Sequence, residues 1–116
     1  MHKPLDLSHF YDIAEGNEDF VKKLLLILQK NLHEYPPQMQ SLFDKKSMLA
    51  LRELAHKFKS CIAYTGADEF NKLLVAIETS EVDNLSEVQI GLLVRKASEQ
   101  AQLLATEVAD LLAKKA

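Results

Sequence analysis

Apolar residues return every three or four positions along nearly the whole chain, a spacing that suits amphipathic α-helices and little else. From Glu18 onward Phe20, Val21, Leu24, Leu25, Leu28 and Leu32 keep the repeat, and Met39, Leu42 and Phe43 carry it to Asp44. Phe70, Leu73, Leu74 and Ile77 repeat it further on, as do Leu92, Leu93, Val94, Leu103, Leu104, Val108, Leu111 and Leu112. Only three glycines and three prolines interrupt the chain. Leu, Ala, Lys, Glu and Gln, all good helix formers, dominate it. The fold class is therefore all-α.

The breaks in the repeat divide the chain. A short first helix is expected over Leu5 to Ala14, closed by Gly16 and Asn17. The second begins at Glu18 and meets Pro36-Pro37, where missing N–H groups predict a kink or a break; one bent helix to Asp44 and two separate helices fit equally. Ser47 is a candidate cap for a third helix over Met48 to Tyr64, stopped at Thr65-Gly66. Gly66 is expected to be structural, permitting a tight turn into a helix over Ala67 to Thr79. Ser86 followed by Gln89 resembles a capping box, opening a last helix that ends in Lys114-Lys115. Short polar connections make sequential helices neighbours, so an antiparallel four-helix bundle is predicted, with the short N-terminal helix across one end.

Size and charge narrow the function classes. The 116 residues suit one domain spanning 1–116, and the 47% hydrophobic content is enough for a core. A net charge of -3 argues against a nucleic-acid binder. No apolar run reaches the ~18 residues needed to span a membrane, and the start lacks a secretory stretch. A lone cysteine, Cys61, fits a reducing compartment, so a cytoplasmic location is expected. A four-helix chain can close its own core, which makes a monomer the expectation.

One helix carries the chemistry. At about 100° per residue, Leu51, Leu54, Ala55, Phe58, Cys61, Ile62 and Thr65 share a sector roughly 120° wide, the core stripe. His56 points almost the other way. Its surface neighbours are Arg52 one turn before it, with Lys59, Ser60 and Ala63 after it. Imidazole titrates near ~6.5, so at neutral pH much of it is an unprotonated nucleophile. Arg52 and Lys59 would compensate the charge of a phosphoryl group, Lys59 as a compact donor. Ser60 and Ala63 are small enough to leave the ring open to another protein. Phosphoryl transfer asks an acceptor for in-line access and charge stabilisation, and little else. Taken alone, the same geometry describes many ordinary surface histidines.

The run Ala55-His56-Lys57-Phe58-Lys59-Ser60-Cys61-Ile62-Ala63-Tyr64-Thr65-Gly66-Ala67 resembles the signature of histidine-containing phosphotransfer (HPt) domains. In that family the histidine is followed by an apolar residue, a lysine, a small residue and a later glycine, here Phe58, Lys59, Ser60 and Gly66. Leu73-Leu74 and Ile77-Glu78 resemble the family's apolar-then-acidic ending. Ser60 is a departure, since the family most often has glycine there. The resemblance implies that His56 accepts a phosphoryl group from an aspartyl phosphate on a receiver domain and passes it to another receiver, with Lys59 steadying the phosphate. It implies response-regulator receivers or a hybrid sensor histidine kinase as partners, and no cofactor, the metal ion belonging to the receiver. The isolated Gly16, Gly66 and Gly91 form no phosphate-cradling loop, so no kinase activity is expected.

Other readings compete. Glu53-Leu54-Ala55-His56 matches the Glu-x-x-His element of ferritin-like metal sites, but no histidine follows His56 to supply a second copy, and no metal is expected. A helical interaction module of two-component signalling, without phosphotransfer, is the main alternative. His33 is expected at the surface, His2 and His9 are poorly placed for a site, and Cys61 is expected to be an inert packed thiol. Folding back at the turns would bring Lys72 to Ala76, and Tyr35 with Pro36, level with His56 as rim candidates. The start at Met1 leans toward a free-standing module.

Overall fold

A computed structural model of the protein describes residues 12 and 14–115, where the apolar repeats become four helices with no strand. They are α1 (Glu18–Asp44), α2 (Met48–Ile62), α3 (Asp68–Glu78) and α4 (Glu87–Lys115). The expected short N-terminal helix, with His2 and His9, lies outside the described residues except for Asp12 and Ala14. Asn17 starts α1: its side-chain oxygen accepts from the Phe20 N–H at 3.2 Å. Glu18 and Asp19 then place negative charge at the positive end of the helix dipole.

Pro36 and Pro37 sit inside α1, which runs through them unbroken. The two prolines withhold the N–H groups that would reach the carbonyls of Leu32 and His33. Buried Leu28 and Leu32 before them and buried Met39 after them hold both halves against one core. Each such side chain contributes roughly 1.5–3 kcal/mol, against about 3 kcal/mol lost for a helix-interior proline. Tertiary packing wins.

The turns have their own hydrogen bonds. After α1, the Lys46 N–H donates to the Phe43 carbonyl and the Ser47 N–H to the Leu42 carbonyl, both at 2.9 Å, while Lys46 adopts a φ of +59°. This is a Schellman stop with lysine where glycine is usual. Ser47 occupies the N-cap position of α2 as expected, yet its hydroxyl makes no capping bond. Helix α2 ends at Ile62, two residues before the expected Tyr64. Thr65 closes the turn from within, donating to the Ile62 carbonyl at 2.7 Å and accepting from the Ala67 N–H at 3.2 Å. Gly66 takes a φ of +72°, as its role in a tight turn requires. Ahead of α4 the capping box forms in both directions: Ser86 N–H to Gln89 at 2.8 Å, and Gln89 N–H to Ser86 at 3.1 Å.

Each helix packs on its neighbours in chain order, and α4 closes back on α1. Where α1 meets α4, a Cβ at Gly91 would stand 2.7 Å from the Phe43 ring, so the glycine is what lets that ring approach. The core stripe of α2 lies inward as expected, with Leu51, Ala55, Phe58, Ile62 and Thr65 buried. Leu54 and Cys61, at its edges, are half-buried instead. Phe58 is fully enclosed, with edge-on contacts to Tyr35 of α1 and Phe70 of α3, both at 5.1 Å between ring centroids.

Phe58→Ala is expected to cost about 3–5 kcal/mol in urea denaturation, because a cavity would open where three helices meet. Val82→Ser, at a position that is 87% exposed, should stay within about 0.5 kcal/mol of the parent.

Candidate functional site

Because Phe58 faces the core, His56, two residues earlier, faces out. Its side chain is 66% exposed. The imidazole is nevertheless held. Its Nδ1 meets Oε2 of Glu78, the last residue of α3, while Lys59 Nζ donates to the other carboxylate oxygen, Oε1, at 2.7 Å. One carboxylate therefore ties together two residues of α2 that lie a turn apart. An ionised carboxylate can only accept, so Nδ1 must carry the proton and donate it to Glu78. In the neutral ring this leaves Nε2 with the lone pair. The Lys59 ammonium holds the Glu78 carboxyl below the usual carboxylate range, against the opposing effect of partial burial, and the His56 contact adds to the lowering.

A second pair lies one turn toward the start of α2. Arg52 Nη2 meets Glu81 Oε2 at 2.9 Å, with Glu81 reaching in from the turn after α3. The sequence placed Arg52 and Lys59 beside His56 as charges open to a phosphoryl group. The structure keeps them beside His56, and both are already engaged by carboxylates. Linear spacing on one helix cannot show this, because both acids come from the neighbouring segment.

Ser60 is exposed next to the ring, and its hydroxyl donates back to the His56 carbonyl at 3.3 Å. Ala63 is exposed at the C-cap of α2. On the side of His56 away from α3 an open groove runs between α1 and α2. Half-buried Leu42, Ala50 and Leu54 form its floor, and exposed Gln38, Glu53, Lys57 and Ser60 its rim, with His56 at the edge. Glu53 and His56 both lie on this outer surface rather than turning inward as a bundle-core metal site requires. Among the described residues no group of three or more His, Cys, Asp or Glu side chains converges as a metal site would.

Of the rim candidates, two have contacts of their own. Tyr35 is turned onto Phe58, and Lys72 pairs with Glu69 at 3.5 Å. The partner of His56 across the bundle is Glu78, beyond the Lys72–Ala76 stretch. Helix side chains lean toward the N-terminus, so a long glutamate at the end of α3 reaches back toward Lys59 and His56. Glu78 and Glu81 were not singled out as site residues; the apolar-then-acidic Ile77-Glu78 ending was the one sequence signal pointing to the first. His33 is exposed as expected. Cys61 accepts from Asn31 Nδ2 at 3.2 Å. Burial pushes its thiol up, against the lowering by bonds to Tyr35 and Asn31, which makes it a poor nucleophile.

The lowered Glu78 value has a consequence for stability. A carboxyl depressed in the folded state stabilises the fold above its unfolded pKa, and that contribution is lost as pH falls through the lower folded value. Glu78→Ala should therefore cost about 1 kcal/mol or less at pH 7, the pair being partly exposed. The deficit should shrink as pH drops below the ordinary glutamate value of ~4.3. Urea denaturation of both proteins at neutral and acid pH checks this.

The model of the Hpt domain family matches residues 23–114, which take in most of α1, all of α2 and α3, and α4 to its penultimate residue. Comparison with curated proteins finds no match, and comparison with solved structures finds none. No helix among the described residues is long and apolar enough to cross a membrane. With the family model covering most of its length, the chain belongs to the Hpt domain family, whose members are histidine phosphocarriers of phosphorelays rather than kinases.

Proposed function

We propose that His56 is the phosphoacceptor of this chain and that Nε2 is the atom that carries the phosphoryl group. The observation behind this is the Glu78 bridge, which holds the proton on Nδ1 and leaves the lone pair on the opposite nitrogen of an exposed ring. In the transfer step the Nε2 lone pair attacks phosphorus of an aspartyl phosphate. The N–P bond forms as the P–O bond to the acyl oxygen breaks, and the aspartate leaves as carboxylate. The imidazole gains positive charge as it bonds, and the Nδ1–H to Glu78 contact stabilises that charge without moving the proton.

Lys59 shares its carboxylate with the ring, so its ammonium is within a side-chain rotation of a phosphoryl oxygen and steadies the transferred group. Arg52 supplies further positive charge one turn away. Ser60 and Ala63 keep the approach clear, the Ser60 hydroxyl being turned back onto the helix. The groove beside His56, apolar at its floor and polar at its rim, is the surface offered to a receiver domain, from a response regulator or a hybrid sensor kinase. The receiver brings the metal ion, and phosphoryl groups pass through this chain from one receiver to the next. The four helices close one core between them, which supports a monomer, and the setting is the cytoplasm.

Incubation with a phosphorylated receiver should put an acid-labile, base-stable label on the protein, and His56→Gln should abolish it. Lys59→Ala should slow labelling about tenfold or more, since a hydrogen bond to a charged group is worth roughly 1.5–3 kcal/mol. A label that persists in His56→Gln, or receiver binding without any transfer, would overturn the assignment, the second outcome marking an interaction module instead.

A further inference from the structure

Three cations and three carboxylates surround His56. Arg52 and Lys59 are bonded to Glu81 and Glu78, and Lys57 and Glu53 lie together on the groove rim. The site has no surplus positive charge, yet a phosphoryl group would bring close to two negative charges. What compensates that charge decides how strongly the phosphorylated state is held.

Arg52 is the adjustable element. It lies one turn before His56 on the same face of α2, the spacing at which helix side chains are surface neighbours. The Arg52 side chain is only 20% exposed, whereas Glu81 is 73% exposed. The arginine is thus seated on the bundle, and the glutamate reaches in from solvent to engage it. Glu78 also carries negative charge here, but it bonds the ring itself, so changing it alters the tautomer together with the charge. Glu81 is bonded to Arg52 and not to the ring.

We propose that Glu81 sets the phosphoryl-transfer potential of His56 by keeping Arg52 engaged, so that the phosphohistidine has Lys59 but not a free guanidinium to compensate its charge and is passed on rather than stored. This rests on His56 being the phosphoacceptor. Glu81 is a positioning residue: it acts through the guanidinium and touches neither the phosphoryl group nor the imidazole. The protein is thereby tuned as a donor. A receiver that offers its own positive charge takes the group readily, because the carrier holds it weakly.

Phosphoramidate, a small donor that needs no receiver, tests this on the whole chain. Its P–N bond breaks as the Nε2–P bond forms, and ammonia leaves with the three hydrogens it already carries, so no other reactant is needed. At a fixed ratio of phosphoramidate to ammonia, the ratio of phosphorylated to free protein is read by phosphorus NMR. The half-life of the label is then followed after the donor is removed. Glu81→Gln should raise that ratio about three- to tenfold and lengthen the half-life, the size expected for one charge acting across several ångströms at a protein surface. Glu81→Ala should show the same gain. The gain should disappear in Arg52→Gln/Glu81→Gln, since nothing is left to release. Glu99→Gln, which removes an equal charge from the rim of the α3–α4 groove, should behave as the parent.

No change in either Glu81 variant, a gain that survives loss of Arg52, or an equal gain in Glu99→Gln would each overturn the proposal while leaving His56 as acceptor. Absence of label at His56 in the parent protein would overturn the acceptor assignment and this proposal together.

Discussion

The enclosure of Phe58 between Tyr35 and Phe70 fixes the roll of α2 about its own axis. A helix turns about 100° per residue, so the orientation of one large, fully buried side chain dictates that of every other residue on the same helix. With Phe58 inward, Ala55 and Ile62 must face the core, and His56, Ser60 and Arg52 must lie on the far face. Rolling α2 to bring the imidazole inward would expose an aromatic ring and bury charged neighbours. Both changes are unfavourable by several kcal/mol. Exposure of the histidine is thus a property of the core before it is a property of the site.

What the core leaves to the surface is charge arrangement. Glu78 stands where α3 ends and holds two α2 residues with its two oxygens; Glu81, three residues on, holds a third. The result is a preorganised but electrically balanced face. The imidazole has its proton assigned and its orientation restrained, while the cations around it are already engaged. The Arg52 and Lys59 side chains are only 20% and 28% exposed, so water screens their bonds to Glu81 and Glu78 less than it would a pair fully in solvent.

Much of this was legible in the residues, and the parts that were not share one cause. Helical spacing, the inward stripe of α2, the outward His56, the Gly66 turn and the Ser86–Gln89 capping box all depend on residues within a few positions of one another. The Glu78 and Glu81 contacts depend on how α3 sits against α2 and how far a glutamate reaches, which linear spacing does not encode. Antiparallel register pointed to the right helix, but the lean and length of the Glu78 side chain, which carry it back to His56, are not in the register. At Pro36-Pro37 local preference left one bent helix and two helices equally open, and it is the apolar contacts on both sides that keep a single helix. Ser47 had the right chemistry for a cap and stands at the cap position, but its hydroxyl makes no capping bond.

Gly91 links two surfaces that never touch. Its missing side chain admits the Phe43 ring, and Leu42, the residue before Phe43, helps form the floor of the groove beside His56. Position 91 and the floor of that groove thus meet the same turn of α1, through the adjacent residues Phe43 and Leu42. A side chain at position 91 would have to displace the Phe43 ring before α1 and α4 could keep their present contact.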